Sequence, residues 1–515
     1  MPYGINGGAP SRPLIVVSNR EPYHHTTRDD GAIEVSAATG GVAVALDALM
    51  RRRSGTWVAH GSADADRKVV DRHDRVAVPP DSPSYFLRRL WLSADEERRY
   101  YRGFANEGLW PLCHLAHVRP VFRSGDWAAY RAVNARFADA VSTEIRTGVE
   151  QVFIQDYHLA LLADSLRMRH PVVRTAIFWH IPWPNADSLR ICPWRREILR
   201  GLLANDVVAF QLDRDRRNFL QSVRDELQVP VDRSRVFIGA RSVRVMTSPI
   251  GVDTAQIQQF AADPVVRPES LRLRQELGLD DPALSAIGVG VDRLDYTKGI
   301  AERLDAIDAL LTRRPDLRSR FAFVQVGVPS RSSIAAYAQV ERDIDARVAW
   351  LNVKHGNGPH CGPIRYRKSA MTLGELVVLY RLADFAVVSS LHDGMNLVAK
   401  EFVAARTDDG GALVLSEMAG AAEELREALL FNPYDVEGFS RAIEQAIAMP
   451  AAERTTRMRA MRRIVTGRDV FRWADDILDC LDRVYVGGGR LAVPPARLPA
   501  GYLKSATIAR RDVGR

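Results

Sequence analysis

Short runs of β-branched and aromatic residues recur along the chain at residues 14–18, 152–154, 175–179, 207–210, 286–290, 321–326, 385–388 and 412–415. They are apolar throughout rather than alternating, which marks strands covered on both faces. Apolar residues at helical spacing separate most of them. This order predicts an α/β protein with right-handed crossovers, parallel sheets and ligands held at the carboxyl ends of the strands. A strand ending in Ser248-Pro-Ile-Gly-Val-Asp253 precedes a long polar helical stretch, so a hinge is placed near residue 250, between domains 1–250 and 251–486. Residues 470–485 repeat apolar positions as a helix, expected to pack back toward the first domain, and residues 487–515, rich in Gly, Pro and Arg, read as a loose tail.

At 515 residues the chain exceeds one ordinary core, which agrees with two large domains. The net charge of +8 comes from dispersed short runs such as Arg51-Arg52-Arg53, without the aromatic-studded basic strip that stacks bases, so a nucleic-acid partner is not expected. Cys113, Cys192, Cys361 and Cys480 lie far apart with no Cys-x-x-Cys pair, which signals neither a zinc site nor a disulfide framework and suits a reducing cytoplasm. The first residues lack a basic start followed by an apolar core, and no stretch of about 18 apolar residues occurs, so secretion and membrane spanning are not expected.

Two segments carry the chemistry. In Arg293-Leu-Asp-Tyr-Thr-Lys-Gly299 an arginine fork and a lysine point charge follow a predicted strand, the pair of cations that a departing diphosphate needs. In Asp393-Gly-Met-Asn-Leu-Val-Ala-Lys-Glu401 a turn opens a helix, whose first amides, at Asn396 and Leu397, can meet a diphosphate while Glu401, one turn in, accepts ribose hydroxyls. Each has a structural alternative: a surface pair bridged to Asp292 or Asp295 for the cations, a helix cap for Asp393, a solvated position for Glu401. Together they read as the two halves of a nucleotide-sugar site. Gly-Lys-Ser/Thr is absent, and Gly288-Val-Gly290 is not continued as a dinucleotide fingerprint.

Ser18-Asn-Arg20, Gly40-Gly41, Gln155-Asp-Tyr-His-Leu159, His180-Ile-Pro-Trp-Pro184 and the two segments above fall in the order found in trehalose-6-phosphate synthases, and the chain resembles that family over roughly residues 13–485. The resemblance implies the GT-B fold, two facing Rossmann-like domains with the active site between them. It implies transfer of glucose from UDP-glucose to glucose 6-phosphate with retention at the anomeric carbon. On the donor side it implies Arg293 and Lys298 for the diphosphate, Glu401 for the ribose, Asp393 for a glucose hydroxyl, and the peptide amides of Met395, Asn396 and Leu397. Gly40 and Gly41 would bring backbone close to the phosphates, or form an ordinary turn. On the acceptor side it implies Arg20 and Arg331 for the phosphate, with Tyr101, Trp110 and Trp57 nearby and core packing as the alternative for Trp57. Asp156 and His180 would touch the acceptor and the transferred glucose, a satisfied core histidine being the alternative for His180.

A retaining transfer ordinarily needs a carboxylate on the far face of the sugar. The resemblance implies a different course, attack on the same face as the leaving diphosphate, whose own oxygen takes the proton, with no covalent enzyme intermediate. No essential metal is expected: Asp64-Ala-Asp66 and Asp213-Arg-Asp215 stand away from the other motifs, and the two cations supply the charge. No cofactor beyond the donor substrate is expected, and a homo-oligomer, dimer or tetramer, is. The chain departs from the family pattern at Gln155, His392 and Cys361, and the segment after Arg20 is long. Arg20-Glu-Pro-Tyr23 is also similar to relatives that use glycerol 3-phosphate as acceptor. A cyclitol-coupling pseudo-glycosyltransferase and a silent regulatory subunit are disfavoured because Arg293, Lys298 and Glu401 are all present.

Overall fold

The computed structural model of the protein describes residues 13–38, 41–145, 151–263, 266–356 and 362–486. Gly40, Cys361 and the tail 487–515 lie outside the described residues.

All eight apolar runs are strands, and they fall into two sheets. The first has nine strands in the order Arg235–Ile238, Arg241–Thr247, Val207–Phe210, Arg174–Trp179, Gln151–Gln155, Leu14–Arg20, Gly55–His60, Tyr85–Leu90, Arg75–Val78. Its seven inner strands are parallel, with one antiparallel strand at each edge. The second has six parallel strands in the order Ile364–Arg367, Phe321–Val328, Ala286–Arg293, Phe385–Val388, Ala412–Ser416, Leu429–Phe431. Both are doubly wound, so each has one place where the strand order reverses and a crevice opens at the carboxyl ends. In the first sheet it lies between Leu14–Arg20 and Gln151–Gln155, and in the second between Ala286–Arg293 and Phe385–Val388. Arg20 and Asp156 flank the first crevice; Arg293 and the Ser389–Asp393 loop flank the second.

The strands without a run of their own are mostly edge strands. Ile364-Arg-Tyr-Arg367, at an edge, carries two charges, and the inner strand Tyr85–Leu90 alternates buried with more exposed residues because one face of it is partly wetted. A two-stranded hairpin, Tyr23–Thr27 with Ile33–Ala37, occupies the long segment after Arg20. It is pinned from beneath by Arg89, fully buried, which donates to Glu21 Oε2 at 2.7 Å and pairs with Asp66 Oδ1 at 2.8 Å.

The helix Val470–Val486 follows the second sheet in sequence but covers the first, against Arg174–Trp179, Val207–Phe210 and the helix Gly41–Arg53. Trp473 is its anchor, 5.5 Å from the Phe153 ring, 5.0 Å from Phe178 and 6.0 Å from His180. The chain therefore crosses between the halves twice, side by side: Val470 N–H donates to the Val252 carbonyl at 3.2 Å, and a Cβ on Gly251 would lie 2.2 Å from the Arg468 carbonyl oxygen.

Candidate active site

The donor loop is built on its own backbone. After the strand Ala286–Arg293, Asp295 Oδ1 accepts from the Thr297 amide and hydroxyl, both at 3.0 Å, which folds the chain back and presents Lys298. Gly299 then opens the helix Ile300–Arg313 at φ 61°, where a Cβ would lie 2.1 Å from the Ser389 carbonyl oxygen, so only glycine fits. This close approach brings the second donor element alongside: Lys298 Nζ pairs with Asp393 Oδ2 at 2.5 Å, and Ser390 Oγ donates to the same oxygen at 3.1 Å. Burial alone would raise the Asp393 carboxyl, but the Lys298 ammonium outweighs it and holds the group well below the ordinary carboxylate range.

The helix Leu397–Ala405 is capped by Asn396, at φ 77°, whose side chain accepts from the Ala399 amide. Asp393 is therefore free of the capping role its sequence position allowed. Glu401 is half-buried, and the Tyr380 hydroxyl donates to its Oε2 at 3.0 Å. Burial raises the Glu401 carboxyl, against that hydrogen bond. Met395 is buried, leaving its amide as the usable group. The loop is pressed against the first half of the chain at two points. A Cβ on Gly394 would lie 2.2 Å from the His180 carbonyl oxygen, and one on Gly41 would lie 2.7 Å from Leu397 Cδ1.

Across the crevice, Arg20 Nη2 donates to the Tyr101 hydroxyl at 2.9 Å. The Arg331 guanidinium, delivered from the second half of the chain, lies 4.3 Å over the Trp110 ring and 5.9 Å from that of Tyr101. Arg293 lies over the same Trp110 ring at 5.4 Å, so one indole carries two guanidinium groups, one from the strand end at 293 and one from the loop at 331. Tyr101 and Trp110 share a face because Arg98–Leu109 is a π-helix, with Trp110 N–H donating to the Ala105 carbonyl five residues back. At about 4.4 residues per turn, nine residues are close to two full turns, whereas an α-helix would set the two rings on opposite sides. Burial would raise the Tyr101 phenol; Arg20 and Arg331 outweigh it and bring it down to about 7.

At the floor, Asp156 stands at φ 73° just past its strand, and its Oδ1 accepts from the His180 amide at 3.1 Å. Burial pushes its carboxyl up to about 7, against the amides of Tyr157 and His180 and the charges of Arg331 and Arg293. His180 Nε2 meets Gln155 Oε1 at 2.9 Å, and burial pushes its imidazole down to about 3, so it is neutral. Trp110 Nε1, Gln155 Nε2, His158 Nε2 and His180 Nδ1 are buried without a hydrogen-bond partner among the described residues, the mark of a surface shaped for a polar ligand.

Trp57 is a correction. It sits mid-strand, opposite Val16 and Leu87, fully buried, with Nε1 donating to Ser18 Oγ at 2.8 Å and the ring stacked on Tyr85. It packs the core and offers no face to a sugar. Several groups at the site had no signal in the chain's local pattern. Tyr337 and Tyr380 lie in ordinary helices, and the His392 contact, Nδ1 to the His114 carbonyl at 2.8 Å, spans the crevice. Tyr157, beside Asp156, was open to notice from adjacency alone.

Among the described residues, one group of three side chains could hold a metal ion, Glu21, His24 and Asp66, and Arg89 already lies between its two carboxylates. Asp64 accepts from the Thr27 amide and Asp215 from the Trp183 amide. Among the described residues, no helix is long and apolar enough to cross a membrane.

Comparison with known proteins places this geometry. The chain is 40% identical over 479 residues to trehalose-6-phosphate synthase of Mycobacterium ulcerans, covering 91% of this chain and 93% of that one. It is likewise 40% identical over 481 residues to the enzyme of that name from Mycolicibacterium smegmatis, covering 91% and 92%. Among solved structures, an alpha,alpha-trehalose-phosphate synthase (UDP-forming) from Burkholderia xenovorans in complex with glucose-6-phosphate superposes with a TM-score of 0.80 at 30% identity, over 91% of this chain and 100% of that one. An E. coli protein bound with UDP-2-fluoro glucose superposes at 0.79 with 29% identity, over 91% and 99%. The sequence pattern of Glycosyltransferase family 20 matches residues 12–483, and the chain, a GT-B glycosyltransferase, belongs to that family.

Proposed function

We propose that this protein transfers glucose from UDP-glucose to glucose 6-phosphate, releasing UDP and trehalose 6-phosphate. The observation that carries the reading is the Trp110 ring with both Arg293 and Arg331 on it, which supports a site for two phosphate-bearing substrates side by side. Relatives whose names state this activity, and a relative solved with glucose-6-phosphate, support it.

In the proposed transfer the bond from the anomeric carbon to the diphosphate oxygen breaks and the bond to the acceptor hydroxyl forms on the same face. The hydroxyl proton passes to the departing phosphate oxygen. Arg293, Lys298 and the amides of Met395, Asn396 and Leu397 stabilise the charge on the leaving group. Asp393, anionic beside Lys298, accepts a glucose hydroxyl, and Glu401 the ribose hydroxyls. Arg20 and Arg331 hold the acceptor phosphate. Asp156 and His180 orient the reacting sugars, which supplies the positional part of the rate. Two cations at the diphosphate make a metal unnecessary, and a chelator is expected to leave the rate unchanged. The free, partly or fully buried thiols of Cys113, Cys192 and Cys480 support a cytoplasmic setting. Exposed Trp350 and Val353 on one helix support a homo-oligomer, which light scattering would test.

The rival acceptor is glycerol 3-phosphate, from the Arg20–Tyr23 motif. Glu21 is buried against Arg89 and the Tyr23 hydroxyl is held by Asp47, so of the two side chains that distinguish the motif neither faces the crevice. Incubating the purified protein with UDP-, ADP- and GDP-glucose against both acceptors, and weighing the phosphorylated product, tests the assignment. A product with the mass of glucosylglycerol phosphate would replace it.

A further inference from the structure

Arg331 reaches the crevice by an unusual route. It follows the strand Phe321–Val328 at φ 55°, a left-handed conformation that a non-glycine residue keeps only where its surroundings enforce it. The enforcement comes from just downstream. Ile334 and Tyr337, 7% and 1% exposed, belong to the hydrophobic cluster of the first half of the chain although the second half encodes them. The helix Ala335–His355 is thus rooted across the crevice at its first turn.

From that root the Tyr337 hydroxyl returns to the arginine: Arg331 Nη1 donates to it at 2.7 Å. Nη2 points to the Tyr157 hydroxyl at 3.4 Å, and that hydroxyl in turn donates to Asn106 Oδ1 at 2.8 Å. The flat guanidinium lies over Trp110, with Asp295 Oδ2 at 3.6 Å from Nη1 as its nearest carboxylate. The Tyr337 ring packs 5.0 Å from that of Tyr296. A guanidinium fork binds phosphate in two-point fashion only if its plane is set beforehand, and side-chain freedom surrendered on binding comes directly out of the affinity.

We propose that Tyr337 is a positioning residue for acceptor recognition, its hydroxyl fixing the plane of Arg331 so that the guanidinium and Arg20 close on the acceptor's phosphate from opposite halves of the chain. The inference rests on the functional reading above and deepens it. It assigns to Tyr337 an effect confined to phosphorylated acceptors and exerted through one arginine.

The test is titration calorimetry on the full chain with glucose 6-phosphate and, separately, with UDP, for the wild type, Tyr337→Phe, Arg331→Ala and the double variant. Tyr337→Phe keeps the buried ring and removes only the hydroxyl. A lost hydrogen bond to a charged group predicts glucose 6-phosphate affinity about tenfold weaker, with UDP affinity within about twofold of wild type. In the Arg331→Ala background the same change is expected to cost nothing further, because the hydroxyl then has no arginine to aim. Unchanged glucose 6-phosphate affinity overturns the proposal, as does equal weakening of both ligands, or a full additional loss in the Arg331→Ala background, either of which marks a merely structural tyrosine. Should Tyr337→Phe fail to fold, Tyr157→Phe, which removes the second hydroxyl beside the guanidinium, is expected to give the same selective loss in smaller measure, and an unselective one overturns the idea. Wild-type protein that binds UDP but no glucose 6-phosphate would sink the functional reading and this inference with it; wild-type binding with an indifferent Tyr337→Phe sinks only the inference.

Discussion

Replacing Gly394 by alanine gives the sharpest test of how the two halves of the chain meet. The added methyl carbon would lie 2.2 Å from the His180 carbonyl oxygen, with the His180 carbonyl carbon and Ile181 Cα at 3.3 Å, while real Cβ contacts essentially never fall under 3.0 Å. Relief therefore needs a shift of at least 3.0 − 2.2 = 0.8 Å, and because the Cβ is fixed to its own backbone and the oxygen is a backbone atom, no rotamer change supplies it. Backing away from His180 carries Asp393 and the amides of Met395, Asn396 and Leu397 with it. A misplacement of about 1 Å of groups that orient reactants costs on the order of 10²-fold in rate. The expected result is kcat/KM for UDP-glucose about 10²-fold below wild type, measured by coupled UDP release, with the thermal midpoint little changed because the clash lies between the halves. Gly41→Ala is the graded companion: its new carbon meets Leu397 Cδ1 at 2.7 Å, the far end of a side chain that can turn aside, and a loss of only a few-fold is expected. Gly239→Ala is the control, at φ 59° with nothing within 4 Å, costing about 1–2 kcal/mol of stability and no activity. A Gly394→Ala enzyme that folds and retains kcat/KM within about threefold of wild type would refute the reasoning.

Lys298→Ala removes the cation paired with Asp393, and turnover is expected to fall by about 10²- to 10³-fold; near-normal turnover removes Lys298 from the leaving-group role. Trp57→Ala is expected to cost about 3–5 kcal/mol in denaturant unfolding, with acceptor KM of the folded enzyme unchanged, and a selective rise in KM would restore the sugar-platform reading. Because burial raises Asp156 to about 7, its ionised form is lost as pH falls through neutrality, so kcat/KM for the acceptor should decline on the acid side of about pH 7. Asp156→Asn should abolish that limb, and a profile with the limb intact assigns it elsewhere. The same raised value means that protonated Asp156 favours the folded state, so its contribution to stability is present below about pH 4 and lost as pH rises through about 7, which thermal melts of wild type and Asp156→Asn compare.

Parallel strands buried on both faces leave unbroken apolar runs, and for that reason Val207–Phe210 and Phe385–Val388 were legible to the residue. Strands half-wetted or at an edge, such as Tyr85–Leu90 and Ile364–Arg367, follow side-chain packing rather than a run and were passed over. The donor elements were readable because backbone chemistry dictates them: Gly299 and Gly394 stand where no side chain fits. The acceptor side was readable only by resemblance. Arg331 lies more than two hundred residues from its partner Tyr101, and no local periodicity joins them. The π-helix that aligns Tyr101 with Trp110 leaves no mark either, since five-residue hydrogen bonding has no spacing rule that an amphipathic pattern reveals. Trp57 misled for the opposite reason: an aromatic suited to a sugar is equally suited to a core, and burial decided.

The double crossing at 250–252 and 468–470 has a consequence for how such a chain can be cut and recombined. With Val470–Val486 roofing the first sheet, everything between the crossings is an insertion within the acceptor half rather than a module appended to it. A fragment ending at the first crossing would leave the hydrophobic slot of Trp473 open to water, beside the ring of His180. Grafting the second half from one relative to another is therefore a two-junction operation, and a chimera joined only near residue 250 brings a foreign final helix under the first sheet.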